Sequence, residues 1–585
     1  MFGRKAPERK PYDWDTAPQP ELAPFFAGQN SVPAPQPVIQ RSGMREDLKK
    51  IISANVRTKP SYADCWLVGN VGKIDVLEEY DTPSGHVAIG TAADGEYEYN
   101  LTPLEYTSSE SLNSIITEII EAVKKEFRTN GGRSDRFFVD RLTRDLLADH
   151  EDTLGLSCGG NAAMLEKTIS GISDIVYRYT VGLGIFDVLL SDPRLEDLYL
   201  DAPANSNRIH VTLSGIKGSN AHCSCRTNLV VDMKEVQNLI CHLKKESGLP
   251  FSESNPVLET DMKEYDARAT IVGYPMSPKG DAVAIRKHSK TPWTLTRLVA
   301  NGTLDPNTAA KLSFLVQNHA TFLVCGARGA GKSSLLSAMM FEFPLSQRIL
   351  SLEDTLELPG EAMRKMGYKV QSILMDDRMD GDAVSRSNEA MRLSLRLGES
   401  ALVIGEIRGT EAKTLYECMR TGRAGSSIMG TIHGDSAKTV FERVVHDMGI
   451  SPESFMATEV VITMGTVLDR KTGAQTRKVS EFVVTSDRVG EFIDISGDID
   501  YNAPVMRRAL SVSGMSVEEA AAEIDARSRI REFLAEMGKK HGETYWGAEW
   551  VSASNEYIMR NSGKDSDSIF NGFKNKFITE TGLTE

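Results

Sequence analysis

The chain has no run of about 18 apolar residues, the length a membrane-spanning helix needs. Its first residues, MFGRKAPERKPYDWD, lack an apolar signal core. The expectation is a cytoplasmic protein that meets a membrane only through something else. Cysteine is scarce: the seven residues Cys65, Cys158, Cys223, Cys225, Cys241, Cys325 and Cys418 are scattered and odd in number. That excludes a disulfide framework and reads as reduced thiols. His222, Cys223 and Cys225 stand close together, but no second pair lies at a zinc-ribbon spacing. Basic residues are outnumbered, 67 Lys and Arg against 81 Asp and Glu, for a formal net charge of −14. This balance argues against nucleic acid as the main partner, because phosphate contacts need clustered cations.

The composition is otherwise that of a globular chain, 41% hydrophobic and 25% charged over 585 residues. Eight of the 23 prolines fall within residues 1–46. Proline fixes φ and removes a backbone donor, so this segment is expected to be extended or disordered. From residue 47 to about 175 the pattern is helical or mixed. Leu112, Ile115, Ile116, Ile119, Ile120, Val123 and Phe127 recur at helical spacing. Residues 176–290 read as α+β, with strands at 208–213, 227–231 and 281–287 and a helix at 234–247. The stretch 291–304, with its Pro and Gly, reads as a hinge. Residues 305–485 alternate apolar strands (321–325, 348–352, 401–405 and 427–432) with helices, the signature of a parallel sheet with crossovers. Residues 486–585 are helical and polar. They open on a capping box at Ser516 and Glu519, and the last forty residues carry little pattern.

GARGAGKS, Gly326–Ala327–Arg328–Gly329–Ala330–Gly331–Lys332–Ser333, matches G-x-x-x-x-G-K-[ST] in full, between an apolar strand and a helix. Glycines let such a loop turn its N–H groups toward phosphate, and the helix N-terminus adds a favourable dipole. The expected ligands are ATP and Mg²⁺. Lys332 would bridge the β- and γ-phosphates, Ser333 would hold the metal, and Ser334 would bond the α-phosphate. ALVIGEIRG ends a strand in Glu406, placed to hold Mg²⁺ through water. RILSLEDTLELP offers Glu353 as the candidate base. GTIHGDS sets His433 at another strand end, suited to sensing the γ-phosphate.

These four boxes, in this order, resemble the type II/type IV secretion ATPase superfamily, and the segments SLEDTLELP, LYECMRTG and GTIHGDSAKTVFERVVHDMGI are similar to its archaeal branch. The resemblance extends upstream through GLGIFDVLLSDPRLEDLYLD, DARAT and AIRKHSKTPWTLTRLV. It implies a RecA-like P-loop core, a PAS-like α+β N-terminal domain, and a helical C-terminal region. It also implies a homohexamer working on a polytopic membrane platform protein, and indirectly on pilin-like subunits, to power a type IV pilus-like filament or type II-like secretion. An archaellum motor, a DNA-translocating or conjugation motor on a related core, and an ATP-binding scaffold are the alternatives. The resemblance further implies that Arg268 and Arg286 reach the phosphates when the N-terminal domain closes. Thr421-Gly422-Arg423 departs from the histidine-containing box of many relatives.

Overall fold

Two large sheets organise the chain, and the residues that alternate along their strands decide what each sheet buries and what it presents. The computed structural model describes residues 59–68, 74–129, 135–150, 162–216, 223–287, 292–375, 393–394, 396–398, 400–409, 411–420, 427–468 and 475–583. All belong to one unit, residues 51–585. The Pro-rich segment 1–46, His222 and the Thr421-Gly422-Arg423 box lie outside the described residues.

The first sheet has nine strands. Its order is β2 (Asp75–Thr82), β3 (Gly85–Thr91), β4 (Tyr97–Pro103), β7 (Cys223–Thr227), β6 (His210–Leu213), β5 (Leu195–Leu200), β11 (Ala282–Lys287), β10 (Ala267–Val272) and β9 (Val257–Met262). Three strands from the stretch expected to be helical or mixed thus extend the sheet formed by residues 195–287. Strand periodicity places alternate residues on opposite faces. Ala267, Ala269, Ile271, Val283 and Ile285 enter the core together with Val236, Leu239 and Leu243 of the helix Met233–Ser247. Arg268 and Arg286 consequently stand on the other face, as direct cross-strand partners. The single strand expected at 227–231 is broken at Asn228. Its side chain bonds both Leu101 N and Leu101 O at 3.0 Å, and the chain beyond, β8 (Leu229–Val231), pairs instead with β1 (Cys65–Leu67). Helices Glu110–Thr129, Arg136–Leu147 and Ala162–Thr180 pack around their own apolar core.

The second sheet has the order β14 (Lys369–Leu374), β13 (Arg348–Glu353), β15 (Ala401–Ile404), β16 (Ile428–Ile432), β12 (Phe322–Gly326), β17 (Val460–Leu468), β18 (Gln475–Thr485) and β19 (Phe492–Asp494). The first six strands run parallel and the last two antiparallel. FLVCG, ALVI and IMGTI are buried along their whole length, as parallel strands covered by helices on both faces must be.

The capping box of Ser516 and Glu519 forms and starts the helix Val517–His541. The weakly patterned end of the chain folds into helices Ala548–Arg560 and Ser566–Thr581. Ile569, Phe573 and Phe577, spaced four apart, fill an aromatic core with Phe533 and Trp550. A buried polar cluster joins this region to the second sheet's helices. Arg531 donates to Glu342 at 2.5 Å and to Asn555 at 2.7 Å. Arg527 donates to Ser313 at 2.8 Å and Gln317 at 2.6 Å. Both arginines are about as buried as any residue, at 1% exposure. Removing one member of a buried charge pair leaves the other uncompensated. Arg531→Ala is therefore expected to cost about 3–5 kcal/mol in urea unfolding. A loss below about 1 kcal/mol would mean that the cluster does not hold the C-terminal helices.

Candidate nucleotide site

The parallel arrangement brings the carboxyl ends of β12, β13, β15 and β16 to one edge of the second sheet. Each end carries one of the sequence motifs. Ligands of open α/β sheets bind outside this edge. Gly326 closes β12 at φ 146°, and a Cβ there would lie 2.4 Å from the Met464 carbonyl oxygen of β17. Only glycine allows the strand to leave the sheet so close to its neighbour. Gly329 and Gly331 also take positive φ, 78° and 95°. Ala327, Arg328, Gly329 and Ser333 are exposed to a cavity or to solvent, and Lys332 opens the helix Lys332–Met340. A cavity of about 630 Å³ is lined by Arg328, Gly329, Lys332, Ser333, Glu353, Glu406, His433 and Arg286, among others.

Most charged groups in this cavity have a partner. Lys332 Nζ donates to the carbonyls of Gly326 and Ala327, each at 3.0 Å, and lies 3.5 Å from His433 Nδ1. An ammonium has no acceptor, so Nδ1 accepts and the histidine carries its proton on Nε2. That atom stands 2.9 Å from Glu406 Oε1. Glu406 Oε2 accepts from Arg408 Nε at 2.7 Å, and Arg408 Nη1 lies 3.4 Å from Asp354. Burial lowers the pKa of Lys332, against the pull of the Glu406 carboxylate. Arg443 reaches the His433 carbonyl at 2.9 Å.

Glu353 is 2% exposed. Its Oε2 accepts the N–H groups of Glu357 and Leu358, both at 2.7 Å, and its Oε1 accepts from Ser351 at 3.0 Å. Burial raises its pKa, and the two backbone bonds work against that shift. The carboxylate therefore also shapes the turn after β13. On the facing sheet, Arg286 Nε donates to Asp197 at 2.8 Å. Arg268 bonds Thr355 in the turn after β13 and lies 3.3 Å from Glu259. Ser334 is half-buried on the first turn of the helix after the loop. Arg286 thus lines the loop's cavity, and Arg268 lines an adjoining cavity that also holds Arg286 and Arg328. Arg408, Asp197 and Thr355 were not singled out by sequence reasoning. Arg408 lies inside the GEIRG box, whereas nothing local marks Asp197 or Thr355.

The sequence profile of the family described as "Type II/IV secretion system protein" matches residues 225–568, more than half of the chain. The chain belongs to this family. Among its relatives, the uncharacterized protein MJ0900 of Methanocaldococcus jannaschii is 26% identical over 283 residues, covering 48% of this chain and 48% of MJ0900. The type IV secretion system protein PtlH of Bordetella pertussis is 26% identical over 175 residues, covering 28% of this chain and 50% of PtlH. The matches thus span about half the length of these relatives. The ATPase DotB of Legionella pneumophila superposes with a TM-score of 0.39 at 15% identity, over 62% of this chain and 94% of DotB. The matched residues contain the whole of the second sheet, β12 to β19. Among the described residues, no helix is long and apolar enough to cross a membrane.

Glu353→Ala should leave two N–H groups without their acceptor and lower stability by about 1–3 kcal/mol. Glu353→Gln, which keeps an oxygen for them, should unfold close to wild type. Thermal melting of both variants tests this, and equal melting temperatures would show that the carboxylate has no structural share.

Proposed function

We propose that this chain is an ATP-hydrolysing motor subunit. It would work as a cytoplasmic homohexamer at the inner face of the membrane and act on a polytopic platform protein to power a type IV pilus-like filament or type II-like secretion. The observation that carries the reading is the pairing of Arg268 with Arg286 on the first sheet, where Arg286 lines the cavity of the Gly326–Ser333 loop and Arg268 the cavity adjoining it. Family membership and the motif order support it.

The donor set fits a nucleotide with its metal. The glycine loop and Lys332 match a polyphosphate. Ser333, and Glu406 through water, are the residues that would hold Mg²⁺. Such a site keeps most of its ligands from phosphate and water. Mg²⁺, when bound, would neutralise charge on the β- and γ-phosphates. This chain's own residues account for the rest. Lys332 exchanges its two carbonyl partners for phosphate oxygens. Glu353 or a water it orders accepts the proton of the attacking water. His433, lying between Lys332 and Glu406, reports the state of the γ-phosphate. Arg268 and Arg286 bring positive charge to the transferred phosphoryl as the two sheets close. Closing and reopening of that cleft would be the mechanical output.

Lys332→Ala is expected to abolish nearly all turnover, and Glu406→Gln to bind ATP but hydrolyse it slowly. Arg268→Ala and Arg286→Ala should each lower kcat by about 10²-fold with a much smaller change in ATP affinity. Steady-state ATPase assays paired with binding of a non-hydrolysable analogue test all four. Wild-type turnover in Lys332→Ala would end the motor reading, and wild-type turnover in both arginine variants would end the coupling between closure and chemistry. Light scattering with the analogue should report six subunits, and a monomer at micromolar protein would count against the ring.

A further inference from the structure

Arg477 belongs to none of the motifs, yet it is 6% exposed on a stretch of β18 whose neighbours Gln475 and Lys478 are exposed. Its burial comes from the phosphate loop. Arg477 Nε donates to the Gly329 carbonyl oxygen at 3.1 Å. Its Cδ would stand 3.3 Å from a Cβ added at Gly331. The guanidinium stem therefore lies flat along the outside of the loop, at a place where any side chain on Gly331 would crowd it. β18 is held there by its pairing with β17, which itself pairs with β12, the strand that feeds the loop.

The geometry has a chemical reason. A loop that points its N–H groups inward at phosphate must turn carbonyls outward. An outward carbonyl takes its hydrogen bond either from water or from a neighbouring donor. Arg477 supplies that donor to Gly329. Burial lowers the pKa of Arg477, and the Glu196 carboxylate and the Cys223 thiol oppose that shift.

We propose that Arg477 is a positioning residue that holds the phosphate loop in its binding shape. The inference rests on the nucleotide reading of the loop. It separates Arg477 from Arg268 and Arg286: those act on turnover, whereas Arg477 acts on binding.

The test uses the full chain and a non-hydrolysable ATP analogue, with kcat measured at saturating ATP. Arg477→Gln should raise the analogue Kd about tenfold and change kcat less than about threefold. Arg477→Lys keeps the charge but lacks the directed Nε–H, and should fall between wild type and Arg477→Gln. An Arg477→Gln protein that binds the analogue within about twofold of wild type overturns the inference. Should Arg477→Gln not fold, Arg477→Lys decides, since a wild-type Kd in that variant overturns the proposal. A wild-type chain that binds no analogue overturns the functional reading instead, so the two failures are distinguishable.

Discussion

The site depends on parallel strands ending at a common edge. β12, β13, β15 and β16 each finish within reach of the same cavity. Residues more than a hundred positions apart, from Gly326 to His433, meet there because parallel pairing fixes all four strand ends on one side. The closest point is the contact of Gly326 with the Met464 carbonyl. It fixes where the chain leaves the sheet, and with it the loop, Lys332 and the helix that follows. β17 supplies that carbonyl and also carries β18, so the same strand that shapes the loop from within the sheet brings Arg477 to its outer face.

Charge is arranged in closed pairs around this edge. Lys332 is bonded to loop carbonyls, Arg408 to Glu406, Arg286 to Asp197, and Arg268 lies beside Glu259. These cations already have oxygen partners. Binding an anionic ligand would then be an exchange of charge-assisted bonds, with a net gain much smaller than the strength of any one of them. Such exchange makes the position of the first sheet sensitive to what the loop holds, because Asp197 and Glu259 belong to that sheet. The Arg268–Thr355 bond already spans the cleft between the sheets.

The C-terminal helices join this arrangement from behind. Glu342 lies just past the helix that follows the loop, and Arg531 holds it to the helix Val517–His541. A rigid polar cluster at that point transmits displacement more readily than an apolar contact, since its bonds have fixed directions. The aromatic core of Phe533, Phe573, Phe577 and Trp550 then makes the terminal helices one body.

Local chemistry wrote much of this in the sequence. The Gly326–Ser333 loop, the apolar strands ending in Glu353, Glu406 and His433, and the Ser516 capping box all depend on neighbours within a few residues, so spacing alone reveals them. The family profile agrees with what those motifs imply. Strands β2 to β4 stayed hidden because the polar run DVLEEYDT has no apolar face to announce it. The helical character of residues 486–585 was legible, but the individual helices of the last forty residues were not, because their aromatic residues acquire a meaning only against one another. Tertiary structure alone decided that Arg268 and Arg286 are cross-strand partners, that Asp197 holds one of them, and that Arg477 lies against Gly329. These contacts join residues far apart along the chain, and no local pattern records a bond whose two ends are set by the pairing of strands.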